Sequence, residues 1–189
     1  MYHSLLINPS FHALLMMVDE DLAEQVRQAA CLACKGALHQ ANYPRSPLGL
    51  PINCREYNEQ RLRFCCGFCR KRATTPSVRF FGRYRFPAPT LILISFLDRG
   101  ATARTLDQVR RFFGVTVSKR TWKRWRRWWR TCFIATDFWK QGKGLLPIKC
   151  MNNIYPRSLF LAYSGTVSDR LVAVLRFLAP LTAGIYRAA

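Results

Sequence analysis

The stretch Thr105-Leu-Asp-Gln-Val-Arg-Arg-Phe-Phe-Gly114-Val-Thr-Val-Ser118-Lys-Arg-Thr-Trp122-Lys-Arg-Trp125-Arg-Arg-Trp128-Trp129-Arg130 carries the strongest patterning in the chain. Leu106, Val109 and Phe113 recur at helical spacing. That predicts a helix over residues 105–113, with Thr105 as its N-cap and Asp107 in its first turn. Gly114 supplies a turn, and Ser118 can cap a second helix over residues 118–131. At 100° per residue, Trp122, Trp125 and Trp129 fall within about 60° of one another, with Cys132 and Phe133 beside them. Trp128 lies at the edge of that stripe, where it can touch another part of the chain. Lys119, Arg120, Lys123, Arg124, Arg126, Arg127 and Arg130 span about 160° on the opposite side. Like charges at i,i+4 repel, so phosphates are the natural neutralising partner.

The pair reads as a helix-turn-helix whose second helix fits the DNA major groove. Lys119, Arg120, Lys123 and Arg124, near its N-terminus, are expected at base edges or adjacent phosphates. Arg126, Arg127 and Arg130 are expected on the backbone. The tryptophans read as core packing, not as platforms for bases. Any one of these cations, taken singly, reads equally well as a solvated surface charge. Thr121 and Trp125 come about two residues later than in the common helix-turn-helix pattern, so the turn is expected to be longer than usual.

Working outward, the chain has 189 residues, half of them hydrophobic and 13% aromatic. It can bury a core, which excludes a disordered tail or a collagen-like fibre. The formal charge is +20. Residues 1–60 hold four basic and six acidic residues, residues 61–130 nineteen and two, and residues 131–189 seven and two. Such a concentration of positive charge points to a polyanion, of which nucleic acid is the commonest. No signal peptide is read at the N-terminus, and no apolar run is long enough to cross a bilayer. A reducing, cytoplasmic (bacterial, nucleoid-associated) setting is expected, with no membrane partner.

In that setting clustered cysteines suggest metal. Cys31-Leu-Ala-Cys34-Lys-Gly36 is followed, 31 residues on, by Cys66-Gly-Phe-Cys69-Arg-Lys-Arg72. Two C-x2-C turns can complete a closed, tetrahedral four-thiolate site for a structural Zn2+ ion. Gly36 suits a positive-φ step after the first turn. Cys65 could stand in for Cys66, and His39 or Cys54 for another ligand. Buried thiols packing as small hydrophobes are the plainer alternative, and they are the preferred reading for Cys132 and Cys150. Zinc would hold together a small hairpin that lacks a core of its own.

The rest of the chain is read more coarsely. Leu15, Val18, Leu22 and Val26 predict a helix over roughly residues 19–30. The alternation Arg61-Leu-Arg-Phe-Cys65 predicts a half-buried strand, and residues 35–60 an excursion between the cysteine pairs. Residues 78–86 read as strand or extended link. Thr90–Leu97 reads as a buried helix opened by Pro87 and Pro89. Residues 140–156 read as loop from their glycines and prolines, and a last helix is expected to end before Pro180.

The segment from Gln60 to Pro76, with Cys66-Gly-Phe-Cys69-Arg-Lys-Arg72 at its centre, resembles the zinc knuckles of transposase-linked N-terminal ribbons of bacterial insertion sequences. The order of ribbon, short link and helix with Arg-Trp pairs is similar to those elements. Cys31–Gly36, Tyr43-Pro-Arg45 and residues 105–139 resemble uncharacterised bacterial proteins encoded near mobile elements. The resemblance implies DNA binding at or near element ends, with a transposase or other mobile-element protein as a candidate partner. It implies no catalytic residues.

Asp98, Asp107, Asp137 and Asp169 are the acids outside the N-terminal helix and the Glu56/Glu59 pair. Asp107 reads as a helix N-terminal charge, and Asp137 and Asp169 as caps or turns. No nucleophile–base pair, phosphate loop or open metal motif is present, so an enzyme is not expected. The expected fold is mainly α with a small β zinc ribbon: a helix-turn-helix domain plus C-terminal helices. The segments are 1–30 (helical), 31–77 (ribbon), 78–139 (helix-turn-helix) and 140–189 (loop and helices). The expected function is binding of double-stranded DNA as an accessory or regulatory factor of a mobile element. RNA held by shape and phosphate contacts is one alternative. A protein-interaction module using the apolar segment 157–185 is another.

Overall fold

Asn8-Pro9 is a helix start, because the Asn side chain can satisfy a first-turn amide and proline sacrifices no hydrogen bond there. In the computed structural model, which describes residues 2–82, 85–97, 100, 102–147 and 154–183, a short α1 (Tyr2–Leu6) leads into α2 (Pro9–Gln28) at this point. The Ser10 amide donates to Asn8 Oδ1 at 2.9 Å. The helix therefore begins at Pro9 and not near residue 19, and ends at Gln28. Phe11, Leu15 and Val18 extend the apolar stripe into the earlier turns and are buried.

After the first cysteine turn come β1 (Leu38–Gln40) and β2 (Tyr43–Pro44), then β3 (Gln60–Arg61), β4 (Arg63–Cys66) and β5 (Arg72–Thr74). β1, β4 and β5 form an antiparallel sheet in the order β1-β4-β5, with His39 opposite Cys65 and Phe64 opposite Ala73. β2 pairs with β3. The strand expected over 61–65 is thus split at Leu62 between two ladders. Leu38, Phe64, Cys66 and Cys31 pack with Ala23 of α2 into a small core. A sheet of such short strands depends on packing against α2. The excursion folds back on α2 through 3-10 turns at Ile52–Cys54 and Glu56–Asn58. There Asn58 Nδ2 donates to His12 Nδ1 at 3.0 Å, and His12 Nε2 donates to the Leu6 carbonyl at 2.9 Å.

Residues 78–86 do not form a strand: their described part holds a single bridge, Phe80 to Pro87. The polar groups of Ser77, Val78 and Arg79 are engaged by Asp19 instead of a ladder. α3 (Ala88–Ser95) follows, with Leu91 to Ile94 all buried. α4 (Ala103–Phe113) is capped by Thr102 and not by Thr105. Thr105 occupies the third helical position and returns a bond, its Oγ1 accepting from the Thr102 amide at 3.0 Å. Asp107 pairs one turn on with Arg111 at 2.8 Å.

Gly114 takes the left-handed conformation, φ 63°, that ends α4. Residues 114–118 connect it to α5 (Lys119–Arg127), where Ser118 Oγ accepts from the Thr121 amide at 3.1 Å. The expected regular helix to residue 131 is not found. Beyond Arg127 the backbone widens into a π-helical turn, Trp128–Phe133. A wider turn changes the angle between successive side chains. It lets Trp128 and Trp129 stack edge to face at 4.7 Å while both reach Phe81 and Phe133.

α6 (Asp137–Gly142), capped by Thr136, and a 3-10 turn at Lys143–Leu145 occupy part of the region read as loop. Phe138 and Trp139 are buried, so core packing overrides the nearby glycines. α7 (Arg157–Leu161) and α8 (Val167–Thr182) complete the fold. α8 runs through Pro180 instead of stopping before it. Its last turn is held from outside: the Ser77 amide donates to Thr182 Oγ1 at 2.8 Å, and Arg61 Nη2 to the Thr182 carbonyl at 3.2 Å. The large core takes side chains from both ends of the chain, and α2 serves both cores. Among the described residues no helix is long and apolar enough to cross a membrane.

Candidate metal centre and cationic helix

The two C-x2-C turns are built alike. In the first, the Lys35 amide donates to the Cys31 carbonyl (2.7 Å) and the Cys31 amide to the Gly36 carbonyl (3.0 Å). In the second, the Arg70 amide donates to the Cys66 carbonyl (3.1 Å) and the Cys66 amide to the Lys71 carbonyl (2.9 Å). The left-handed step of each turn falls on Lys35 (φ 58°) and Arg70 (φ 59°), not on Gly36 as expected from its type. Gly36 is needed for closeness instead. A Cβ there would lie 3.1 Å from Cys66 Sγ and 3.3 Å from Cys34 Sγ.

Cys31, Cys34, Cys66 and Cys69 bring their sulfurs within 4.8 Å of one another. Cys31 to Cys69 and Cys34 to Cys66 are each 3.5 Å. These distances are far too long for disulfides. A tetrahedral ion with bonds of about 2.3 Å to sulfur separates its ligands by about 3.8 Å. The four residues therefore fit a metal ion, and a soft thiolate set favours zinc, copper(I) or iron–sulfur chemistry over hard cations. The Ala33 and Cys34 amides pull the Cys31 thiol down to about 6. The Lys71 amide favours the Cys69 thiolate, yet the sulfurs of Cys34, Cys31 and Cys66 push it up to about 12. A cation among them would relieve that crowding.

The other candidate ligands point elsewhere. Cys65 alternates to the opposite face of β4 and donates to the Arg70 carbonyl. His39 packs beside Gly67, where a Cβ would lie 2.8 Å from its Nε2. Cys54 is buried in the turn against α2, and burial pushes its thiol up. Cys132 is half-buried, and Cys150 and Asp98 lie outside the described residues.

On α5 and the π turn, Trp122, Trp125 and Trp129 are buried to 2–3% exposure. Lys119, Arg120, Lys123, Arg124, Arg127 and Arg130 are exposed. Arg126 departs from that face: it is half-buried, with Nη1 3.9 Å from where a Gly100 Cβ would stand. Trp128 is half-buried and meets Phe81 edge to face at 5.4 Å.

A buried polar cluster between the two cores has little signature in the sequence. Asp19 accepts from Ser77 Oγ (2.6 Å), the Val78 amide (2.6 Å) and Arg79 Nε (2.8 Å). Arg79 also donates to the carbonyls of Tyr57 and Gln60. Arg61 donates to the carbonyls of Phe80, Thr75 and Thr182, and burial lowers it to about 10. The one signal is Asp19 beside Val18 on the apolar stripe of α2. No protein-family profile, curated protein or solved structure matches the chain.

Proposed function

We propose that the chain binds duplex DNA with the exposed side of α5, while a structural zinc ion in the four-cysteine centre holds the ribbon together. One observation carries the reading. Three buried tryptophans fix a helix whose opposite side presents Lys119, Arg120, Lys123, Arg124, Arg127 and Arg130 to solvent. Like charges on adjacent turns repel, and phosphates relieve that repulsion. The α4–turn–α5 arrangement then acts as a helix-turn-helix with a longer turn, residues 114–118. Arginines and lysines near the start of α5 read base edges, and Arg127 and Arg130 hold the backbone. Arg126, half-buried, contributes from its flank.

The zinc reading rests on the closed set of four thiolates, which leaves no position for a substrate water. The ribbon followed by an Arg-Trp helix supports a role as an accessory or regulatory factor of a mobile element, working in a reducing cytoplasm beside a transposase. The test is salt-dependent binding to duplex DNA, with structured RNA and heparin as competitors. Replacing Lys123, Arg124 and Arg127 together by Ala should reduce the log–log salt slope by about 0.9 for each phosphate no longer neutralised. An unchanged slope moves the surface away from α5, and stronger competition by structured RNA moves the reading to RNA.

A further inference from the structure

The second cysteine turn carries one of the most exposed large apolar side chains of the molecule, Phe68, at 84%. Its backbone is pinned between Cys66 and Cys69, and its Cβ lies 3.2 Å from where a Cβ of Gly36 would stand. The ring is thus held out into solvent by the turn between Cys66 and Cys69. Lys35 precedes Gly36 in the facing turn, Arg70 and Lys71 follow Cys69, and Arg72 opens β5, all exposed. No Asp or Glu occurs in residues 25–55 or 60–97. Beside them a cleft of about 300 Å³ between α2 and β5 is lined by Leu32, Val26, Lys71 and Arg72.

An exposed ring in a segment rich in exposed cations fits a polyanion that also offers flat aromatic surfaces. A duplex hides its base faces in the stack, so the fitting occupant is a single strand. We propose that the tip of the ribbon binds single-stranded nucleic acid. Phe68 stacks on an unpaired base, and Lys35, Arg70, Lys71 and Arg72 hold the flanking phosphates. This surface is separate from α5 and does not rest on the duplex reading.

The experiment measures binding of the full, metal-loaded chain to a short labelled oligothymidine and to a duplex, with metal content checked for every variant. Phe68→Ala should weaken oligothymidine binding by about tenfold and leave duplex binding nearly unchanged. Phe68→Trp should keep it, and Phe68→Leu, apolar but without a π-face, should lose it as Ala does. Removing Lys71 and Arg72 should lower the single-strand salt slope by about 0.7 for each phosphate released. Unchanged oligothymidine affinity in Phe68→Ala, or full affinity in Phe68→Leu, overturns the proposal. So does equal loss on both probes. Self-association abolished by Phe68→Ala, with single-strand affinity intact, would overturn it too and make the tip a protein contact. Failure of the Lys123, Arg124 and Arg127 variant to lose duplex binding would count against α5 alone, because the oligothymidine series reads a different surface.

Discussion

Asp19 and Arg79 form an ion pair of 2.8 Å in which both side chains are almost wholly removed from solvent, at 1% and 3% exposure. The carboxylate joins α2 to the segment after the ribbon. Removing one partner of a buried pair leaves the other charge uncompensated. Asp19→Ala should therefore cost about 3–5 kcal/mol. Replacing both residues, Asp19→Leu with Arg79→Met, should cost less than the sum of the single changes. Urea unfolding of Asp19→Leu, Arg79→Met and the double variant measures the coupling, and simple additivity would mean the pair does not act as a unit.

Chelation should unfold the ribbon before the helical core. The sheet has few buried side chains of its own, and metal affinity becomes folding energy in such a module. We expect one metal ion per chain, a tetrahedral thiolate spectrum on cobalt substitution, and loss of both in Cys66→Ser. Cys65→Ser and Cys54→Ser should retain the ion, since their sulfurs lie outside the cluster. Retention of metal by Cys66→Ser would reassign the ligands.

Trp122 is 2% exposed within the large core. Trp122→Ala should cost about 3–5 kcal/mol. Lys123→Ala, one residue along and exposed, should change stability by no more than about 0.5 kcal/mol. Chemical denaturation curves for the two variants check the assigned faces of α5 without any ligand.

His12 is held neutral: burial lowers it below its ordinary 6.5, against the opposing hydrogen bond to the Leu6 carbonyl, with Arg79 lowering it further. The unfolded chain therefore binds the proton more readily than the folded one. The contribution is fully present above about pH 6.5 and is lost as the pH falls below that value toward the depressed folded one. Stability measured at pH 7 and pH 5 should drop less in His12→Gln than in the parent chain. An equal drop would place the acid sensitivity in the carboxylates.

The four-cysteine cluster was legible because its signal is local. Two C-x2-C turns declare themselves within four residues each, although choosing Cys66 over Cys65 required the alternation of β4. The division of α5 was legible because tryptophans spaced by three and four residues leave one reading. The π turn was not, since it answers to Phe81 and Phe133 from elsewhere in the core. Nor was the passage of α8 through Pro180, where Ser77 and Arg61 hold a turn that proline alone would loosen. The early start of α2 was written in Asn8-Pro9, well ahead of the acids at residues 19–21, although the expected helix began only near residue 19. One of them, Asp19, proved to be the buried partner of Arg79 and not a surface charge.

Arg61 and Thr182 stand 121 positions apart along the chain and are joined by their hydrogen bonds. Closing a loop of that size is entropically expensive to begin, though each doubling of length adds only about 0.6 kcal/mol. A contact of such high sequence separation is expected to form late as the polypeptide collapses. Once it does, loosening the ribbon or the carboxyl-terminal helix loosens both, so hydrogen exchange near Thr75 should report on events at the far end of the chain.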